Sequence, residues 1–346
     1  MSTFSIDQVE LRQLIDKVVK RTMKMDFAWD WPGGVAFYGI CEAWKSTGEQ
    51  EYLDFLVRWV DDYIERGIPP FTVNAISIGH TMITLYEATE DEKYLNMAKQ
   101  MAEHLTHEAV RFGEGVFQHT VSQNYNFPEQ AWADTLFMAA YFLLRIGVKL
   151  NNEEYIKDGL NQYYWHEEFL QDNQSNLYYH GWDHIKQNNM SSIYWARANA
   201  WAALTMGEAL QLITVTNPSF MMIEGSLRDQ LAALVRLQSD RGLWHTVLTN
   251  PESYEEISAS AGIAAGLISY EKVLGQNIYT DYIQKAYRGI VDNIAEDGRV
   301  MNVSAGTAVM DDEEGYKQVP KKRIQGWGQG LTLAFLAKLV LADKNA

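Results

Sequence analysis

An acid beside a tryptophan opens a segment that is otherwise apolar on every face: Gln130-Ala131-Trp132-Ala133-Asp134-Thr135-Leu136-Phe137-Met138-Ala139-Ala140-Tyr141. A helix apolar all round belongs in an interior, and a carboxylate entering it costs free energy unless something compensates. Two readings are open. Asp134 caps the helix by accepting from the N–H of Leu136 or Phe137, or it belongs to a site that other segments complete. Its company bears on the choice. At the front of similar segments, or in the loops before them, stand Trp29, Asp30 and Trp31; Asn74 and His80; His119 and Trp132; His180, Trp182 and Asp183; Trp195, Arg197, Asn199 and Trp201; Trp244, His245, Ser258 and Ser260; Trp327 and Gln329. An aromatic ring plus a hydrogen-bonding group from almost every segment is the makeup of a sugar site, with ring faces stacked on indoles.

Arg197 is the only charge in Tyr194-Trp195-Ala196-Arg197-Ala198-Asn199-Ala200-Trp201. A buried guanidinium needs an anion. Either an internal carboxylate such as Asp134 or Asp183 supplies it, or a ligand does through a planar bidentate pair. His80 and His119 read first as partly buried, satisfied imidazoles. His180 and His184 are four apart, but Gly181 and Trp182 between them disfavour a helix and no third ligand has suitable spacing, so no metal is expected. No phosphate-binding glycine loop or nucleophile elbow is present, and no cofactor is expected.

These residues need elements to hold them. Six times a nearly uniform apolar stretch occurs, and in the first five it is followed by a polar turn and a stretch with charges on one face. The first pair is Gly34–Trp44 with Glu51–Val60. The apolar member returns at Ile78–Thr89, Trp132–Arg145, Trp195–Ile213, Ile257–Val273 and Gly326–Ala342, with partners that include Ile223–Leu237. The partner of the last is the opening stretch Val9–Met23. Uniform helices inside and amphipathic helices outside make a two-layer helical barrel. Six hairpins closing on themselves predict an all-α (α/α)6 barrel, a single domain over 1–346. The extra length, as in Arg111–Glu129 and Asn176–Asn189, falls before inner helices, where loops build sites.

At 346 residues and 47% hydrophobic, the chain can bury a large core. The lone Cys41 excludes a disulfide framework and reads as core filler. A charge of −16 argues against nucleic acid. The opening Met1-Ser2-Thr3-Phe4-Ser5-Ile6-Asp7 has no signal-like region and no segment is a membrane span, so a cytoplasmic location is expected.

Taken together, Gly115-Val116-Phe117-Gln118-His119, Gln130–Met138, Leu177–Asp183, Trp195–Trp201, Gly242-Leu243-Trp244-His245 and Ser258-Ala259-Ser260-Ala261 resemble the unsaturated rhamnogalacturonyl hydrolases of glycoside hydrolase family 105, relatives of the unsaturated glucuronyl hydrolases of family 88. The resemblance covers nearly the whole chain. It implies an (α/α)6 barrel that removes a terminal Δ4,5-unsaturated galacturonate from short pectin fragments. It also implies Asp134 as the catalytic acid/base, with His180, Trp195, Arg197 and Trp201 lining the pocket; Trp31, Asn74, His119, Trp132, Trp244 and His245 complete the expected contacts. The chain departs from the family pattern in two places. Ala196-Arg197-Ala198-Asn199-Ala200 replaces Gly-Arg-Gly-Asn-Gly, and Asn74 stands near where a second acid is usual. The implied chemistry hydrates a C4=C5 enol ether and so uses one acid, where ordinary glycosidases need two. That acid is expected to be protonated at rest, its pKa raised by burial among Trp132, Phe137 and Trp195. Two other readings carry different chemistry: a sugar epimerase or isomerase using His180 and His245 across the ring, and a non-catalytic oligosaccharide-binding protein.

Overall fold

The computed structural model describes residue 4, residues 6–122 and residues 127–344. Met1, Ser2, Thr3 and Ser5 of the opening stretch, and 123–126 of the Arg111–Glu129 connection, lie outside the described residues, as do 345–346. The helices are α1 (Gln8–Thr22), α2 (Trp31–Thr47), α3 (Gln50–Arg66), α4 (Gly79–Thr89), α5 (Glu92–His107), α6 (Tyr141–Leu150), α7 (Glu153–Leu170), α8 (Ala196–Ala209), α9 (Pro218–Arg236), α10 (Ile257–Leu274), α11 (Thr280–Val291), α12 (Glu313–Lys317) and α13 (Gly326–Lys344). A 3₁₀ turn, Ala75–Ile78, precedes α4, and a π-helical stretch, Leu136–Ala140, runs into α6. Two short antiparallel ribbons join β1 (Arg111–Phe112) to β2 (Val116–Phe117) and β3 (Gln130–Trp132) to β4 (Gly181–Asp183).

Helices α2, α4, α6, α8, α10 and α13 pack side by side in that order, and α13 closes on α2. Helices α3, α5, α7, α9 and α11 each lie outside the inner helix before them, and α1 packs on α13 as the sixth outer member. This is the expected (α/α)6 barrel. Burial follows the two sequence patterns. Every residue of α10 from Ile257 to Glu271 is buried, whereas α3 buries Tyr52, Leu53, Leu56 and Val60 along one stripe. Small residues let the inner helices touch: a Cβ on Gly39 would sit 2.3 Å from the Gly330 carbonyl, so α2 and α13 meet backbone to backbone.

Short connections such as Gly48–Glu49 return the first five inner helices into outer ones, and α13 runs beside α2 with Trp327 against Trp31 at their starts. Gly48, at φ 80°, caps α2 in the left-handed conformation that closes such a turn. All six inner helices therefore point the same way, and their N-termini share one end with the long connections. Backbone N–H groups and the positive ends of the helix dipoles converge there, a setting that favours an anion. Among the described residues no helix is long and apolar enough to cross a membrane.

Candidate active site

The β3–β4 ribbon makes the central contact. Its register pairs Trp132 with Gly181, and the Ala133 N–H donates to the His180 carbonyl at 3.0 Å. The next residue, Asp134, thereby comes opposite His180, with Oδ2 3.4 Å from His180 Nε2. That separation is longer than a well-formed hydrogen bond, and both atoms are buried without a hydrogen-bond partner. Unpartnered buried polar atoms are what a ligand's hydroxyls satisfy. Among the described residues no backbone N–H reaches the Asp134 carboxylate; Leu136 N–H donates instead to Ala133 O. The helix-cap reading of Asp134 is thus set aside.

Aromatic rings wall this pair. Trp132 stacks on His119 at 4.1 Å and 6°, and meets the His180 ring edge-on at 5.3 Å. Trp195 covers the other side of His180 at 4.1 Å. Trp201 lies beneath, against Phe137 at 5.1 Å, with its indole N–H unpartnered. Trp31 stacks on Trp327 at 4.4 Å across the meeting of α2 and α13. The Asn74 N–H donates to Thr120 O, next to His119, and its side-chain oxygen is buried and free. Asp30, another acid expected at this end, spends one oxygen on the Trp31 N–H at the start of α2.

Electrostatics overturn one expectation. Burial pushes the Asp134 carboxyl up, but the neighbouring His180 and the charges of His180, His119 and Arg197 outweigh it, and the group lies below its ordinary value. Burial lowers both imidazoles, His119 to about 4, despite the pull of Asp134 in the other direction. In the free enzyme near neutrality Asp134 is a carboxylate between neutral histidines. The aromatic neighbours were readable from sequence; the strand register that sets an imidazole against the acid was not.

Arg197 finds its anion inside the protein, and it is neither Asp134 nor Asp183. Nη1 lies 3.3 Å from Glu256 Oε1 and also donates to the Ser304 hydroxyl, while Nη2 donates to Ala305 O at 2.9 Å and Thr307 Oγ1 at 3.1 Å. The guanidinium is 2% exposed and sits over the Trp195 ring at 4.4 Å. Glu256 is further bonded by the N–H groups of Ala259 and Ser304. This network fastens the segment 304–307 to the start of α8 and to Glu256.

Several expected contacts serve the scaffold. Trp244 is fully buried, its N–H given to Leu234 O at 2.8 Å, which removes it as a stacking platform. The His245 ring is tied to the Ser253 carbonyl at 2.5 Å. Asn199 bonds both backbone groups of Tyr178, and Gln329 holds Val300, Thr22 and Gly298. His80 donates to Phe137 O and accepts from Arg145, the satisfied imidazole expected. Sequence reasoning missed Glu256 and Tyr316. Glu256 had a signal, an acid directly before an inner helix, the same feature that singles out Asp134. Tyr316 had none.

A family model described as Glycosyl Hydrolase Family 88 matches residues 5–341. The chain belongs to that family. It is a glycosidase, which sets the epimerase and non-catalytic readings aside. It is 58% identical to unsaturated rhamnogalacturonyl hydrolase YesR of Bacillus subtilis over 346 residues, covering 100% of this chain and 99% of the relative. Two solved structures, each described as a possible member of the GH105 family, share its fold. That from Salmonella enterica serovar Paratyphi A is 29% identical, with a TM-score of 0.93, over 97% of this chain and 95% of that one. That from Klebsiella pneumoniae is 30% identical, with a TM-score of 0.92, over 97% and 94%.

Proposed function

We propose that this glycosidase releases a terminal Δ4,5-unsaturated galacturonate from short rhamnogalacturonan fragments by hydrating the C4=C5 enol ether, with Asp134 as acid and then base. The observation that carries this reading is a carboxylate whose buried Oδ2 has no hydrogen-bond partner and faces the His180 ring, with Trp132 and Trp195 packed against that ring. Hydration of the enol ether needs one acid, where ordinary glycosidases need two. The activity named for the full-length relative supports the same substrate class.

The proton must reach Asp134 before it can reach carbon. The substrate supplies the means: its carboxylate, drawn to the N-terminal end of the barrel, brings a like charge toward Asp134 and displaces water, and both effects raise a carboxyl pKa. Protonated Asp134 then gives its proton to C4, leaving an oxocarbenium-like C5. Water attacks C5 and loses a proton to Asp134. The hemiketal opens by breaking the bond from C5 to the ring oxygen, and the C1 hemiacetal so formed expels the aglycone. One water is consumed and Asp134 ends as it began after binding. His180 and His119, neutral at rest, bond sugar or water oxygens, and Trp132 packs the ring, while Trp195 backs His180.

The test is turnover of lyase-generated unsaturated galacturonyl-rhamnose in D2O, followed by ultraviolet absorbance and NMR. The enol-ether absorbance is expected to disappear and one deuterium to appear at C4 of the released keto-uronate. Release of the sugar with the double bond intact would defeat the hydration route.

A further inference from the structure

One buried side chain beside the acid has no part in the steps above. Tyr316 stands on α12, in the segment between α11 and α13, and is fully buried. Its ring stacks against Trp195 at 5.9 Å, and its hydroxyl lies 2.9 Å from His180 Nδ1. The same oxygen accepts the Met310 N–H at 3.2 Å. A phenol has one proton to give. The backbone N–H can only donate, so of the two partners of this hydroxyl His180 Nδ1 is the one able to take that proton.

The tautomer of His180 follows. Nδ1 accepts, so Nε2 carries the hydrogen, and Nε2 is the atom facing Asp134. His80 shows the same logic elsewhere in this barrel: Arg145 can only donate to its Nδ1, which leaves Nε2–H for Phe137 O. We propose that Tyr316 is a positioning residue, holding His180 as the Nε2–H tautomer so that its N–H is presented to Asp134 and to the sugar or water oxygen beside it. The opposite tautomer would set a lone pair against the carboxylate, a repulsive arrangement that turns His180 away. Arg197 acts through the same segment. Its bonds to Ser304, Ala305 and Thr307 and the Tyr254 hydroxyl on the Tyr316 carbonyl at 3.3 Å fasten the chain that carries the phenol.

This inference rests on the hydrolase reading for its kinetic consequence, though not for the tautomer itself. The test uses the full chain labelled with 15N-histidine, with the His180 signals assigned by their loss in His180→Gln. In the wild-type protein Nε2 is expected to be protonated and Nδ1 bare. Tyr316→Phe keeps the ring and removes the hydroxyl. It is expected to leave melting and KM near wild type, lower kcat on the order of 10-fold, and admit the Nδ1–H tautomer. A wild-type His180 carrying its proton on Nδ1 overturns the proposal without any variant, which covers a Tyr316→Phe that fails to fold. So does a folded Tyr316→Phe with wild-type kcat and unchanged ring signals. Absence of turnover on every unsaturated uronide, with Nε2–H intact, would instead sink the hydrolase reading alone.

Discussion

In the proposed mechanism Asp134, a carboxylate in the free enzyme, must be protonated to act, so proton uptake belongs with substrate binding. Calorimetry with saturated galacturonyl-rhamnose, which carries the carboxylate but no enol ether, is expected to show uptake approaching one proton near pH 6 when buffers of different ionisation enthalpy are compared. Asp134→Asn is expected to abolish it. Binding without uptake would show that the ligand's carboxylate does not reach Asp134's field. Arg197 is a second residue-scale case. Truncating one partner of a buried pair leaves the other charge stranded, so Arg197→Ala is expected to destabilise the fold by about 3–5 kcal/mol. A variant that melts like wild type would mean that Glu256 does not depend on it.

At the scale of elements, the helices were legible because burial imposes a period. Uniform stretches became inner helices and one-faced stretches outer ones. Their ends were less so. The outer partner read as Ile223–Leu237 begins at Pro218, where the Asn217 side chain accepts the Ser219 N–H and Pro218 occupies the first turn. That signal was in the sequence and concerned local chemistry, which periodicity does not see. The π-helical stretch and the β3–β4 ribbon had no such signal. The ribbon arises from long-range pairing of 130–132 with 181–183 and sets His180 against Asp134, while Phe137 O, in the π-helical stretch, bonds His80. The candidate residues were therefore mostly readable by type, while their pairings, Arg197 with Glu256 above all, depended on which loops meet. The glycine contact between inner helices gives a test at this scale. Gly39→Ala places a methyl against the Gly330 backbone, which no rotamer can relieve, and is expected to cost at least about 1–3 kcal/mol. Unchanged melting would deny the close approach of α2 and α13.

For the whole molecule, the ring separates two ends of opposite polarity. Inner-helix N-termini face the site, and the last turns of α2, α6 and α10 carry Lys45, Lys149 and Lys272, which offset the negative ends of the helix dipoles. At that second end, in the last turn of α8, Glu208 pairs with Lys338 of α13 and accepts from Ser269 and Tyr141. Burial pushes that carboxyl up, but Lys338 and the two hydroxyls bring it down to about 2 from an ordinary 4.5. A folded-state pKa below the unfolded one adds stability that is complete above pH 4.5 and lost as pH falls toward 2, here about 3 kcal/mol. Glu208→Gln is expected to flatten the pH dependence of unfolding free energy across that window, and an unchanged slope would place the acid sensitivity elsewhere.

The central claim is that Asp134 hydrates the enol ether of an unsaturated galacturonate, and its most direct test is the decay of enol-ether absorbance in unsaturated galacturonyl-rhamnose under wild-type enzyme and Asp134→Asn. The amide keeps the shape and removes the transferable proton. Wild type is expected to consume the absorbance. The variant is expected to fold and melt nearly as wild type while turning over slower by roughly two or more orders of magnitude, the scale of general acid–base groups. Near-normal decay under a folded Asp134→Asn would contradict the account.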